Sequence, residues 1–159
     1  MRPTLAKEKV AKTIAECELH QKRIEHALNK LKKFMPLTPQ NYKTLDNEQV
    51  EALDQFLFRF AKLQDTIGQR LFPGVLEILE EPVKERSFLD RLNRLEQLKI
   101  IESKEQWLNL RNMRNILAHE YENDPQGMSE ALNLVYQSYG GLAGIFLQVR
   151  KYLASKIKT

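Results

Sequence analysis

Apolar residues recur at three- and four-residue intervals along most of this chain, which is the spacing that a buried face of an α-helix requires. Near the N-terminus the pattern predicts a first helix from about Leu5 to Phe34, ended by Pro36 and Pro39. Its buried face is predicted to contain Val10, Ile14, Cys17, Ile24, Leu28, Leu31 and Met35. No segment of the sequence shows the two-residue alternation of a half-buried strand, so the pattern predicts an all-α fold.

A second helix is predicted to start at Asp46, after a loop through Asn41 and Tyr42. Asp46 is a good N-cap residue, and Gln49 three positions later completes a capping box. The buried face of this helix is predicted to contain Val50, Leu53, Leu57, Phe60, Ile67 and Leu71. Gln64 falls on the same face, and a buried amide needs hydrogen-bond partners, so it is expected to point toward other protein groups.

Three shorter signals follow the second helix. The FPG step at residues 72–74 is predicted to kink the chain into a short helical piece, VLEILEE, that ends near Pro82. Two further helix starts are each marked by a serine with a polar residue three positions later: Ser87 with Asp90, and Ser103 with Gln106.

The last helix is predicted to begin just after Asp124, with Pro125 in its first position, and to continue close to the C-terminus. Its apolar spacing continues unbroken across Gly140, Gly141 and Gly144, so one continuous helix is expected. Gly140 and Gly144 lie one turn apart on one face, where the missing side chains are expected to let another helix approach closely.

The helix order predicts a single domain over residues 1–159, an up-and-down bundle of about five helices. The first and last helices are expected to flank a pair formed by the second and fourth. With 42% hydrophobic and 29% charged residues, the composition is that of a folded globular protein. The net charge of +4 mildly favours an anionic partner, although exposed helix faces explain it equally well.

Cysteine and histidine usage predicts no metal, no cofactor and a reducing compartment. Cys17 is the only cysteine, and His20 and His26 are six residues apart and expected to face solvent. The N-terminal residues lack the apolar core of a secretory signal, and the stretch GGLAGIFLQV is too short to cross a bilayer. We therefore expect a cytoplasmic protein without a membrane partner.

The predicted fourth helix carries polar residues where a core helix normally carries aliphatic ones. Arg114 continues an apolar row made by Trp107, Leu110, Leu117 and Tyr121. A charge in such a row is costly unless it is paired or faces a cleft, and a structural ion pair with Asp65 is one alternative for Arg114. A neighbouring row presents an arginine, an amide and an imidazole together: Arg111, Asn115 and His119.

Arg114 and His119 are five residues apart, which separates them by roughly 140° on an ideal helix. They can share one site if the helix ends near His119, or if two copies of the helix meet across a two-fold axis. The second arrangement is favoured, and it predicts a homodimer.

The stretch RNILAHEY, from Arg114 to Tyr121, matches R-x-x-x-x-H-x-Y and resembles the motif of HepT-like toxins of the HEPN family. Looser similarity runs through RFAKLQDTIGQRLFP and over most of the chain. The resemblance implies a HEPN-like bundle and a metal-independent ribonuclease that acts as a homodimer on RNA. It also implies an MNT-type nucleotidyltransferase as antitoxin, which adds AMP to the tyrosine at the position of Tyr121. Some relatives are only substrate-binding subunits of a nucleotidyltransferase, so both an enzyme and a non-catalytic partner subunit stay open.

The chemistry of these residues is compatible with RNA cleavage. The imidazole of His119 can exchange a proton near neutral pH, and the guanidinium of Arg114 can bind phosphate oxygens. Arg111 and Asn115 are candidates for binding the substrate, and Gln64 and Asp65 for supporting the site. The structural alternatives are a capping histidine at His119, a core tyrosine at Tyr121, a satisfied buried amide at Gln64 and a solvated acid at Asp65.

Overall fold

The computed structural model describes residues 3–117 and 124–156, and within these ranges every regular element is helical. A π-helical turn, Ile67–Leu71, joins two of the α-helices. The α-helices are α1 (Pro3–Leu31), α2 (Pro39–Lys43), α3 (Asn47–Thr66), α4 (Phe72–Ile78), α5 (Phe88–Gln97), α6 (Lys104–Leu117) and α7 (Pro125–Lys156). The all-α prediction is therefore confirmed for the part of the chain that is described.

The predicted helix starts are confirmed by their caps. The Asp46 carboxylate accepts a hydrogen bond from the Gln49 backbone N–H, and the Gln49 amide oxygen accepts one from the Asp46 N–H. Ser87 and Ser103 each accept the backbone N–H three residues later. Because these bonds depend on neighbours within one turn, the local sequence is sufficient to place them.

Four sequence predictions for the first 50 residues are corrected. α1 ends at Leu31 rather than Phe34, since the chain tightens into turns before the cis Met35–Pro36 bond. Asn41 and Tyr42 lie in the one-turn helix α2, whose N-cap is Thr38, and not in a loop. Val50 is 40% exposed because the core reaches α3 only from Ala52 onward. His20 is buried rather than solvent-facing.

α3 and α4 form one path through the π-helical turn. The Phe72 N–H donates to the Ile67 carbonyl, five residues back, which is the π-helical spacing. Pro73 has no N–H to donate and lies in the first turn of α4, where the register has already changed. The short piece predicted around VLEILEE thus begins at Phe72 and ends at Ile78.

Contacts between helices define an up-and-down bundle. Glu16 contacts Arg70 and His20 contacts Arg59, so α1 runs antiparallel to α3. The ring of Trp107 lies against Gly68 and Arg114 pairs with Asp65, so α6 also runs antiparallel to α3. α7 packs on α3 and α6, as the contacts of Phe56 with Tyr139 and of Gln106 with Gly141 show. It runs antiparallel to α1, because Glu18 contacts Arg150 while Val10 lies near Leu153.

α7 is one continuous helix across its glycines, as predicted. The expected close approach at Gly140 and Gly144 is wrong within the described chain, because a methyl group at either position has no neighbour within 4 Å. Of these three glycines, Gly141 alone faces a neighbour, since a Cβ atom there would be 3.1 Å from the side-chain nitrogen of Gln106. Among the described helices, none combines the length and apolarity that a membrane crossing requires.

Candidate functional site

A cleft of about 150 Å³ lies between the end of α3 and α6. Its lining combines two arginines, a carboxylate, two amides and two aromatic rings: Gln64, Asp65, Gly68, Gln69, Phe88, Trp107, Arg111 and Arg114. Four of the residues selected from the sequence, Gln64, Asp65, Arg111 and Arg114, therefore meet in one place although α3 and α6 are far apart in the chain.

The ion pair between Arg114 and Asp65 lies at the rim of this cleft. Arg114 Nη1 is 2.7 Å from Asp65 Oδ1, and the two side chains are 39% and 32% exposed. A guanidinium carries five N–H donors, so one carboxylate contact leaves further donors free for another anion. The predicted pairing with Asp65 is confirmed, and it holds Arg114 in a fixed position while leaving it accessible.

Arg111 lies one turn before Arg114 on α6 and covers an aromatic ring. Its Cζ atom is 4.8 Å from the centroid of the Phe88 ring, at the start of α5. This cation–π contact is worth about 0.5–1 kcal/mol at an exposed site. Asn115, one turn after Arg111, is exposed. The predicted row of polar groups on α6 is therefore solvent-facing up to Asn115.

Trp107 and the π-helical turn form the buried end of the cleft. The Trp107 ring packs edge-on against Phe72, with 4.8 Å between centroids. It also lies so close to Gly68 that a Cβ atom there would be 2.9 Å from Trp107 Cζ2. Only glycine at position 68 allows this approach.

Two polar side chains at this end of the cleft have no hydrogen-bond partner among the described residues. Gln64 is 2% exposed, and neither its amide nitrogen nor its amide oxygen is paired. The indole N–H of Trp107 is likewise buried and unpaired. Leaving such a group unpaired costs about 1–3 kcal/mol. Gln64 is buried as the sequence predicted, but the expected protein partners are not found in the described chain.

His119 and Tyr121 lie outside the described residues, within 118–123. The structure therefore describes the arginine of the R-x-x-x-x-H-x-Y motif and its surroundings. The angular relation between Arg114 and His119 stays a prediction.

A second polar cluster lies on the opposite side of α3, against α1. The Glu16 carboxylate accepts hydrogen bonds from Arg70 and from Thr66, the latter at 3.0 Å. The bond from Arg70 lowers the pKa of Glu16. Arg59 donates to His20 Nδ1 at 3.1 Å, and His20 Nε2 lies 3.6 Å from Glu16.

The surroundings of His20 and Cys17 make both unreactive. Burial, with the nearby Arg59 charge, lowers the pKa of His20 and keeps the imidazole neutral. Burial raises the pKa of the Cys17 thiol to about 12, so this thiol is protonated at neutral pH. No group of three or more metal-binding side chains occurs within residues 3–117 and 124–156.

Sequence reasoning missed the role of Gly68, Trp107 and Phe88 in shaping the cleft. The spacing of apolar residues places Trp107 on the apolar face of α6 and predicts no functional role for Phe88 or Gly68. One signal was present for Gly68, because a glycine inside a helical pattern often marks a close approach of another group. Phe88 gave no signal, since its contact with Arg111 depends on the packing of α5 against α6.

Comparison with known proteins finds no matching family model, curated protein or solved structure. The function proposed next therefore rests on the motif residues and on the geometry of the cleft.

Proposed function

We propose that this protein is a HEPN-like, metal-independent endoribonuclease of the HepT-like toxin type, with Arg114 and His119 as catalytic residues. The observation that carries the proposal is the placement of Arg114. It is half-exposed at a cleft, held 2.7 Å from Asp65, and keeps N–H donors for a second anion. An arginine that only stabilises the fold requires its carboxylate partner but no cleft beside it.

The reaction follows from the chemistry of the two side chains. His119 takes the proton from the ribose 2′-OH, and the 2′-oxygen attacks the phosphorus atom. The bond from phosphorus to the 5′-oxygen breaks, and the leaving oxygen takes up a proton from water. The products are a 2′,3′-cyclic phosphate and a free 5′-OH. Arg114 donates to the phosphate oxygens, where negative charge increases in the transition state.

The functional unit is proposed to be a homodimer in which α6 of both copies lines one groove. This arrangement brings Arg114 and His119 together in spite of their angular separation on one helix. The proposed partner is an MNT-type nucleotidyltransferase that transfers AMP to the Tyr121 hydroxyl, adding bulk and negative charge beside the groove. RNA as substrate agrees with action in the cytoplasm.

The deciding experiment compares purified wild-type protein with Arg114→Ala and His119→Ala on single-stranded RNA in excess chelator. Each substitution is expected to lower cleavage by about 10²–10³-fold. Arg23→Ala, an exposed arginine on α1, is the matched control and is expected to retain full activity.

Equal behaviour of all four proteins would instead favour a non-catalytic subunit that binds a nucleotidyltransferase. The dimer is tested separately by light scattering. A strictly monomeric protein at about 10–50 μM contradicts the shared groove, because interfaces of ordinary size hold at about micromolar concentration or below.

A further inference from the structure

We propose that the cleft between α3 and α6 binds one nucleobase of the RNA, and that Gln64 recognises the hydrogen-bonding edge of that base. RNA as the source of the base rests on the proposed function. The site is the base pocket next to the phosphate that Arg114 holds.

The unpaired polar groups at the buried end of the cleft define what the ligand must offer. Gln64 provides two N–H donors and one carbonyl acceptor, and Trp107 provides one further N–H donor. Both side chains are 2% exposed and unpaired among the described residues. A nucleobase edge carries donors and acceptors side by side, whereas an apolar side chain leaves all of these groups unpaired.

The size and walls of the cleft fit a flat ring. Its volume of about 150 Å³ is below the roughly 300–1,000 Å³ of pockets that enclose whole ligands, so it suits one ring system. The Arg111 guanidinium stacked on the Phe88 ring provides a planar, positively charged surface at the side of the cleft. Bases stack on both aromatic rings and guanidinium groups.

The position of the cleft relative to Arg114 connects base binding to the proposed chemistry. Gln64 and Asp65 are consecutive in α3, and Asp65 holds Arg114 at the rim. A base whose edge meets Gln64 therefore places its own backbone phosphate near Arg114. The Gln64 amide lies below the surface of the cleft, so binding of a base requires the exposed side chain of Gln69 at the outer lining to move aside.

The test uses Trp107, the only tryptophan of the chain, as a reporter inside the cleft. Its fluorescence is titrated with each of the four nucleoside 5′-monophosphates and with ribose 5-phosphate, corrected against free tryptophan amide for absorption by the bases. We expect at least one nucleotide to give a saturable change that ribose 5-phosphate does not give.

Gln64→Met, which keeps the length of the side chain and removes its hydrogen bonds, is expected to weaken that nucleotide at least tenfold, or by about 1.4 kcal/mol. Gln137→Met, at an exposed glutamine of α7, is the matched control and is expected to bind as wild type does. The same two variants are melted thermally, so that unfolding is not mistaken for lost binding.

Equal responses to ribose 5-phosphate and to every nucleotide overturn the base pocket, and so does unchanged binding by a folded Gln64→Met protein. Saturable, Gln64-dependent nucleotide binding in a protein that cleaves no RNA keeps the pocket and overturns the proposed ribonuclease. RNA cleavage without Gln64-dependent nucleotide binding keeps the proposed ribonuclease and overturns the base pocket. If Gln64→Met does not fold, Trp107→Phe serves as the second variant. It removes the N–H donor, and its nucleotide binding, measured by titration calorimetry, is expected to be at least tenfold weaker than that of wild type, or weaker by about 1.4 kcal/mol; unchanged binding overturns the proposal.

Discussion

The polar groups on the two sides of α3 differ in how completely they are hydrogen-bonded. On the side that faces α1, Thr66 and Arg70 both donate to Glu16, and Arg59 donates to His20, whose Nε2 atom is buried without a hydrogen bond within the described chain. On the side that faces α6, the amide of Gln64 and the N–H of Trp107 are buried without partners in the described chain. Glu16 and Arg70 are 41% and 51% exposed, whereas Gln64 and Trp107 are each 2% exposed, so the unpaired groups lie where a missing hydrogen bond costs most.

The difference separates a structural cluster from a candidate site. Groups that only stabilise a fold are normally paired, because an unpaired buried group costs more than an apolar replacement. Unpaired groups beside accessible charges such as Arg114 are therefore the ones to associate with a ligand. The side of α3 that faces α1, with Thr66, is expected to determine stability. The side that faces α6, with Gln64, is expected to determine function at some cost in stability.

The largest expected changes in stability come from two glycine substitutions, one at Gly68, which faces α6, and one at Gly74, which faces α1. Gly68→Ala brings a Cβ atom to 2.9 Å from Trp107, and Gly74→Ala brings one to 2.8 Å from Val10. Crowding of this kind costs about 1–3 kcal/mol, partly offset by up to about 1 kcal/mol of helix propensity. We expect both variants to be less stable in urea unfolding, while only Gly68→Ala also alters the nucleotide response of Trp107.

Gly140→Ala is the control for this pair, because its new methyl group meets nothing within 4 Å. It is expected to gain up to about 1 kcal/mol from helix propensity alone. Equal loss of nucleotide response in Gly68→Ala and Gly74→Ala would show that the two sides are not independent.

Two buried polar residues of α3 are expected to respond to substitution with opposite sign. Thr66→Val removes the hydrogen bond to Glu16 and should lower the free energy of unfolding by about 1 kcal/mol. Gln64→Met removes an unpaired amide and should raise it by about 1 kcal/mol. Chemical denaturation of both variants measures the two changes. A less stable Gln64→Met protein would mean that this amide has a structural partner.

Near pH 6, the pH dependence of stability is expected to come from His20 on the side of α3 that faces α1. The folded-state pKa of His20 is lowered by burial, so the unfolded chain binds the proton more readily. Stability from this group is complete above about pH 6.5 and is lost as the pH falls below that value. A fall in Tm is expected there, before a second loss from Glu16 and Glu81, whose lowered pKa values act below about pH 4.5.

His20→Gln checks the assignment, because it keeps an acceptor for Arg59 and cannot titrate. Its melting temperature should stay constant between pH 6.5 and 5, a range set by the reference pKa of histidine. If the melting temperature of His20→Gln still falls between pH 6.5 and 5, the titration belongs to another group.

The smallest expected changes in stability belong to the two partly exposed ion pairs. Glu16→Gln and Asp65→Asn should each cost less than about 1 kcal/mol, since exposed pairs contribute little. Their effects on RNA cleavage should differ. Asp65→Asn is expected to lower it about tenfold because Arg114 loses its fixed position, while Glu16→Gln leaves it unchanged. Equal activities would show that Asp65 does not position the guanidinium.

The sequence alone determined the helices and most of their ends. Helix periodicity and N-caps depend on residues within a turn or two, and the predictions at Asp46, Ser87, Ser103 and Pro125 are confirmed for that reason. The sequence also selected Arg114 and proposed Asp65 as its partner, because a charge in an apolar row requires compensation.

The tertiary structure decided which groups meet across helices. Spacing along one helix did not reveal that Trp107 would cover Gly68, or that Arg111 would lie over Phe88. It also did not reveal that α1 buries His20 while α7 leaves Gly140 and Gly144 open. These contacts depend on the rotation and approach of whole helices, which the packing of the complete core fixes.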